Sequence, residues 1–178
     1  MDKKIFVPIL TIVLAAAILL GCYNCLANVR ADIHEAELLN NMQALLPGSN
    51  NFVVEPYTGE DANIRTVYKA ETGYVIETQT QGYAGPINML VAVSNKGTVT
   101  GLQVRRMEET LGLGGEILTD WEYLAQYLNT SGDAVVGENM DAISGATVTS
   151  KAVTRCVNSA VGFVTGADAS SGATSWGG

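Results

Sequence analysis

GYVIETQTQGYAGPINMLVAVSNKGTVTGLQVRRME, residues 73–108, carries the strongest strand pattern in the chain. Its first part is rich in Tyr, Val, Ile and Thr, which are typical of strands. Ile87–Val93 is an apolar run typical of a buried strand, the Asn-Lys-Gly sequence at 95–97 predicts a turn, and apolar residues recur over Val99–Val104. The stretch therefore predicts a strand followed by a β-hairpin.

Helical patterns lie on both sides of these strands. Apolar residues recur with a period near 3.6 over 31–48, where Pro47 and Gly48 end the pattern. DWEYLAQYLN at 120–129, with Asp120 as a cap, and SKAVTRCVNSAVGFV at 150–164 also read as helices. Further short strands are expected at Val53 and Val54, at Val67–Glu71 and at 134–138. Because the strands do not alternate with helices, the predicted class is α+β, with a mostly antiparallel sheet and packed helices.

The start of the chain predicts a membrane anchor. Ile5–Ala27 is an uncharged run of 23 residues, and about 20 helical residues span a bilayer core. Lys3 and Lys4 precede the run, so the positive-inside rule leaves the N-terminus in the cytoplasm and the rest of the chain outside. A cleaved signal peptide, or lipidation at Cys22, are alternatives. All three place the folded domain outside the cytoplasm.

The predicted organisation has four parts. They are a transmembrane anchor at 1–28, a helical stalk at 29–48, a folded domain at 49–165 and a disordered tail at 166–178. The tail is expected to be disordered because it is rich in Gly, Ser and Ala.

Charge and cysteine content exclude some functions. The net charge is −8, and the first 28 residues contribute +1, so the remainder carries −9. Such a domain repels nucleic-acid phosphates, which argues against nucleic-acid binding. Cys22 and Cys25 share one helix face. They are interpreted as small apolar residues of the anchor, and the alternative is a metal site shared with another membrane subunit. The sole histidine is His34, so no all-protein zinc site is predicted, and Cys156 is expected in the core.

DAISGATVTS, residues 141–150, places hydroxyl side chains directly ahead of the last helical pattern. Backbone N–H groups and the helix dipole attract anions at such a point. The stretch therefore predicts a helix N-terminus that favours phosphate binding, with Thr147 at its entrance. The plainer interpretation is that Thr149 or Ser150 only caps the helix.

This stretch resembles the flavinylation motif D-x-x-[ST]-G-A-T of membrane FMN-binding domains. In those families FMN is joined through its phosphate to the hydroxyl of the final threonine. The residues that match the motif are Asp141, Ser144, Gly145, Ala146 and Thr147. The resemblance implies a covalent phosphoester of FMN on Thr147.

Other parts of the chain resemble the same families. The hairpin at 82–104 is similar to their central hairpin, and ETLGLG at 109–114 resembles their E-T-P-G-L-G loop beside the flavin. The resemblance implies flavin contacts for four residues of this loop: Glu109, Thr110, Gly112 and Leu113. Leu111 replaces the usual proline, which frees φ at that position and softens the loop. In size and layout the chain resembles the G-subunit family of Rnf ion-translocating electron-transport complexes; the C subunit of the sodium-translocating NADH:quinone reductase is a longer relative.

The resemblance implies an FMN-carrying electron relay in a prokaryotic cytoplasmic membrane, with other membrane subunits as partners and no catalytic residue of its own. A threonine hydroxyl is a weak nucleophile, and the only histidine lies in the stalk, so a separate FMN transferase is expected. The alternatives are a stand-alone extracellular flavoprotein and a lipid-anchored binding module without a redox role. A second D-x-x-[ST]-G-A-T match, Asp168–Thr174, lies in the tail and is interpreted as chance, with flavin on Thr174 as the alternative.

Overall fold

The computed structural model describes residues 3–107, 115, 118–142 and 146–167; within the first helix it describes the side chains of 13–23, 29 and 33 onward. The elements are α1 (Lys3–Leu45), β1 (Val53–Glu55), β2 (Ile64–Lys69), β3 (Gly73–Gln81), β4 (Pro86–Ser94), β5 (Val99–Met107), α2 (Trp121–Ala125) and α3 (Thr147–Thr165). Residue contacts divide the chain into two compact units, Met1–Asn40 and Asn41–Gly178.

The second unit contains one five-stranded sheet in the order β1-β2-β3-β4-β5. Every neighbouring pair is antiparallel. The stretch 73–108 supplies its last three strands, and Gly97 adopts φ +79° in the predicted turn, a conformation that glycine adopts without steric cost. The expected α+β class and the expected hairpin are therefore confirmed.

Helix α3 packs across β3 and β4 and runs antiparallel to β3. Near the start of the helix, Thr80 donates to Ala152 O at 3.0 Å. Near its end, the rings of Tyr74 and Phe163 meet edge to face with centroids 5.6 Å apart. The start of α3 therefore lies at the end of the sheet where β3 turns into β4.

The interface between α3 and the sheet forms the main hydrophobic core. Val67, Ile76 and Val91 lie side by side on adjacent strands and are fully buried, as are Val153 and Val157 of the helix. Burial of these side chains supplies most of the driving force for packing the helix on the sheet.

Cys156 belongs to this core, as predicted. It is buried, and its sulfur lies 3.3 Å from Thr80 Oγ1. Burial raises the pKa of the Cys156 thiol, so the group stays neutral. Cys22 is exposed and free, and the side chain of Cys25 lies outside the described residues.

The last turn of α1 lies against the edge strand β5. Thr100 donates to Leu45 O at 2.9 Å. A Cβ built on Gly101 would come within 2.8 Å of the same oxygen, so this close approach requires glycine. The helix predicted to end at Pro47 and Gly48 ends at Leu45.

Residues 3–28 of the segment predicted as an anchor lie within α1. Within the described part of the chain, no helix combines the length and the apolar character needed to cross a bilayer.

Several predicted boundaries differ from the structure. The strand expected at 67–71 occupies Ile64–Lys69. The strand expected at 134–138 is wrong, because only an isolated bridge joins Val136 and Met140 there. Asn139 closes a turn instead: its Oδ1 accepts from Val135 N at 2.7 Å, and its Nδ2 donates to Asp133 O at 2.7 Å.

Helix α2 is shorter than predicted, although its cap is confirmed. Asp120 Oδ1 accepts from Glu122 N at 2.9 Å, which satisfies one of the unpaired amides of the first turn. The α-helix covers only Trp121–Ala125, and the following turn ends at Asn129 with φ 64°. The left-handed residue Asn129 stops the helical path before 130.

Candidate functional site

Helix α3 begins at Thr147, three residues earlier than the predicted start at Ser150. Ala146 is its N-cap and makes no side-chain capping bond. Thr147 is exposed and occupies the first helical position. The structure thus presents a hydroxyl to solvent at the start of a 19-residue helix.

The interpretation that Thr149 or Ser150 caps the helix is wrong. Both residues lie inside the helix and are buried. Ser150 donates its backbone N–H to Ala146 O at 2.9 Å and its hydroxyl to the same oxygen at 3.1 Å. Thr149 Oγ1 is buried and has no hydrogen-bond partner in the described part of the chain.

Asp141 precedes this helix start and is tied to the segment that follows α2. Its backbone N–H donates to Gln126 Oε1 at 2.7 Å, while its side chain is exposed. The amide nitrogen of Gln126 is buried without a partner among the described residues. Ser144 and Gly145, the other two predicted residues between Asp141 and Ala146, lie outside the described residues.

A chain of buried hydroxyl groups connects α2 to the helix start. Tyr123 and Tyr127 hydroxyls are 3.1 Å apart, and the Tyr127 hydroxyl lies 2.8 Å from Thr154 Oγ1. Thr154 donates to Ser150 O at 3.0 Å, and Ser150 bonds Ala146 as described above. The sequence interpretation missed this chain, although the i, i+4 spacing of Tyr123 with Tyr127, and of Ser150 with Thr154, could have indicated it.

Burial maintains Tyr127 in its neutral form. The side chain is fully buried, and desolvation, followed by the nearby Tyr123, raises its pKa far above the ordinary value. A neutral phenol can donate and accept at once. Tyr127 therefore links two neighbours across the physiological pH range.

The strand that leads into the second predicted motif ends on the same side of the fold. Met107, the last residue of β5, pairs with Ile87, and Ile87 pairs with Thr80. Thr80 contacts Ala152 in the second turn of α3. The four predicted loop residues Glu109, Thr110, Gly112 and Leu113 lie outside the described residues, as does Leu111, but the chain enters their loop near the start of α3.

Leu118, which follows the predicted loop in the sequence, lines an apolar groove of about 340 Å³ beside β5. The lining residues include Leu102, Val104, Leu118, Trp121 and Leu124. Trp121, the first residue of α2, is 61% exposed. The groove therefore has a large aromatic side chain that is accessible to solvent.

The helix start suits a phosphate ester. The first amides of a helix have no partner within the helix and attract negative charge. Here no side chain of Ala146 competes for them, and no acidic residue lies in the first turn. Thr147 and the first-turn amides therefore fit a phosphorylated ligand attached at residue 147.

Comparison with known protein families gives the class of the domain. Residues 82–162 match the FMN-binding domain. This range includes β4, β5, α2 and most of α3, and it contains both predicted flavin motifs.

Comparison with curated proteins gives a more specific result. The chain is 33% identical over 178 residues to the G subunit of the ion-translocating oxidoreductase complex of Methanosarcina acetivorans, with 90% of this chain and 93% of that one covered. It is 36% identical over 110 residues to the G subunit of the proton-translocating ferredoxin:NAD(+) oxidoreductase complex of Clostridium ljungdahlii, covering 55% of this chain and 59% of the relative. The match to the G subunit of the Na(+)-translocating ferredoxin:NAD(+) oxidoreductase complex of Acetobacterium woodii is 36% over 98 residues, covering 50% and 47%.

The chain belongs to the G-subunit family of ion-translocating oxidoreductase complexes. This confirms the family expected from the motifs and the expected FMN-binding domain. Membership places the chain among the flavoprotein subunits of electron-transporting complexes.

Proposed function

We propose that the chain carries FMN through a phosphoester on Thr147 and relays electrons as a membrane-anchored subunit of an Rnf-type oxidoreductase complex. The observation that carries the proposal is the position of Thr147, which is exposed at the start of α3, where the N-cap residue Ala146 makes no capping bond with its side chain. When bound, FMN supplies the electron-transfer chemistry, and the protein supplies its position and its electrostatic environment.

Attachment requires a group transfer at one hydroxyl. The Thr147 oxygen forms a new bond to the flavin phosphorus of FAD, and the pyrophosphate bond breaks. AMP leaves with the bridging oxygen, and the hydroxyl proton goes to AMP or solvent. His34 is the only histidine of the chain and falls in the predicted stalk, so a separate FMN transferase supplies the activation.

The residues around Thr147 would hold the attached phosphate. The diester retains one negative charge, which the first-turn amides of α3 stabilise. Ser144 and Gly145 complete the recognition motif between Asp141 and Ala146. The exposed position of Thr147 leaves room for the transferase to approach.

The loop at 109–114 would contact the flavin ring. Its residues Glu109, Thr110, Gly112 and Leu113 correspond to the family's flavin loop, and the described residues Met107 and Leu118 come before and after it in the sequence. Met107 ends β5 on the side where α3 starts, and Leu118 lines the apolar groove beside Trp121. An apolar groove with an open aromatic side chain suits a flat aromatic ring system.

Residues 1–28 would anchor this domain in a prokaryotic cytoplasmic membrane as a single helix, with the folded domain on the outer side. The proposal rests on the uncharged run Ile5–Ala27 and on Lys3 and Lys4 before it. After the anchor, the proposed parts of the chain are the stalk at 29–48, the folded domain at 49–165 and the tail at 166–178. A covalent cofactor is an advantage outside the cytoplasm, where lost FMN would not be replaced.

Protease protection tests the orientation. In spheroplasts of the native host, added protease is expected to remove the folded domain, while an N-terminal tag stays protected. Leu14→Arg places a charge in the anchor at a cost of about 3 kcal/mol in insertion, so membrane retention of the chain should fall. Leu39→Arg, outside the anchor, is the matched control and should leave retention unchanged. A protected domain with a digested tag would contradict the orientation.

Purification under native and denaturing conditions tests the function. The chain is expected to show flavin fluorescence on a denaturing gel, because a phosphoester survives unfolding, and to co-purify with other membrane subunits. Fluorescence without partners would favour a stand-alone extracellular flavoprotein. Absence of flavin from the chain, whether or not partners co-purify, would favour a binding module with no redox role. That result would refute the proposal.

A further inference from the structure

The hydroxyl chain behind Thr147 has a single proton arrangement. Thr154 uses its only hydroxyl proton to donate to Ser150 O. The Tyr127 hydroxyl must therefore donate to Thr154 Oγ1, across 2.8 Å. Its oxygen is then free to accept from Tyr123, 3.1 Å away. Each donor in this chain points towards the start of α3.

This chain ends on the residue that precedes Thr147. Ala146 O accepts both the amide and the hydroxyl proton of Ser150. Tyr123, Tyr127, Ser150 and Thr154 are all buried, so water does not replace the bonds in the folded state. Loss of one link leaves a buried polar group unpaired, which costs more than an exposed hydrogen bond.

A second connection holds the other side of the motif. Gln126, adjacent to Tyr127, accepts from Asp141 N at 2.7 Å. Residues 123–127 thus bond directly to Asp141, the first residue of the motif, and connect through Thr154 and Ser150 to Ala146, the residue before Thr147.

We infer that residues 123–127 are a brace for the attachment segment, and that Tyr127 and Thr154 are positioning residues that hold Thr147 and its attached FMN in one orientation. Neither side chain contacts Thr147; both act through Ser150 and Ala146. The part of the inference that concerns the flavin rests on the proposed attachment at Thr147. The part that concerns the helix start stands on the hydrogen bonds alone.

Thr154→Val tests the brace with little change of shape. Valine has the size of threonine and removes the bonds to Tyr127 and to Ser150 O. In the full chain without flavin, amide hydrogen exchange at Ser150 is expected to accelerate about fivefold, since a buried hydrogen bond contributes on the order of 1 kcal/mol. Tyr127→Phe should give the same effect. Tyr123→Phe, which removes only the outermost bond, should give a smaller acceleration and remains available if the others fail to fold.

Two variants control for general destabilisation. Thr154→Ser keeps the hydroxyl. The exchange rate at Ser150 in this variant should lie within about twofold of the rate in the unsubstituted chain. Tyr57→Phe removes a hydroxyl that accepts from Asp61 N at 2.9 Å, near the opposite end of α3, where Tyr57 meets Phe163. Exchange at Ser150 should not change in that variant.

The flavin-loaded chain supplies the second readout. Polarised fluorescence of the attached flavin is expected to gain a fast nanosecond component in Thr154→Val and Tyr127→Phe, and none in Thr154→Ser or Tyr57→Phe. The inference of a brace would be overturned if two quantities were the same in Thr154→Val, Tyr127→Phe, Thr154→Ser and Tyr57→Phe. These quantities are the exchange rate at Ser150 and the depolarisation of the flavin fluorescence. Failure of the proposed function is distinguishable, because a chain that carries no flavin on Thr147 leaves the exchange result intact.

Discussion

Thr147→Ala is expected to abolish covalent flavin on the full chain when it is expressed together with the FMN transferase. Alanine removes the only oxygen that can form the phosphoester at the first position of α3. The helix itself should persist, because Thr147 is exposed and alanine has high helix propensity. Flavin fluorescence on a denaturing gel and the mass of the intact chain measure the outcome.

Two variants make this result specific. Thr147→Ser retains a hydroxyl at the same position and should retain covalent flavin. Thr174→Ala removes the acceptor of the second motif and should leave the flavin content unchanged. Full flavin content in Thr147→Ala would show that the flavin is attached to Thr174 or to another residue. Mass spectrometry of the variant that carries both Thr147→Ala and Thr174→Ala would separate those two cases.

Ile76→Ala is expected to lower the free energy of unfolding by about 3 kcal/mol. Ile76 is fully buried between Val67 and Val91 on the neighbouring strands, beneath α3. Truncation removes buried apolar surface and leaves a cavity that the close-packed core fills only in part. Urea denaturation of the full chain in detergent, followed by circular dichroism, gives the difference.

Val54→Ala is the matched control in the same sheet. Val54 lies on the edge strand β1 and is 58% exposed, so its truncation should change the free energy of unfolding by less than about 0.5 kcal/mol. Equal losses for Ile76→Ala and Val54→Ala would show that the interface between α3 and the sheet is not the stabilising core.

The sequence predicted the centre of the sheet well because its signals there are local and strong. A mostly apolar run, an Asn-Lys-Gly turn and a return strand with β-branched residues define β4 and β5 without reference to the rest of the fold. The Asp120 cap was predictable for the same reason. The strand expected at 134–138 failed because apolar residues in a short segment do not reveal that Asn139 closes a turn with its side chain.

The candidate site could be predicted only in part. The motif predicts Thr147 as the attachment residue, and the structure places this residue exposed at the start of a helix. The start of α3 was misplaced because Thr149 and Ser150 are common capping residues, whereas here both are buried within the first turn. Hydrogen bonds between Tyr127 and Thr154, which are 27 residues apart, depend on tertiary packing, which a local pattern does not contain.

Peptide mapping of the natively expressed chain tests the attachment most directly. Trypsin separates the two motifs, because cleavage after Arg106 and Lys151 releases residues 107–151 with Thr147, and cleavage after Arg155 releases 156–178 with Thr174. The peptide 107–151 is predicted to fluoresce and to carry the added mass of FMN less one water on Thr147. A peptide 107–151 that has only the mass of its amino acids, in a chain purified from its own host, would contradict the account.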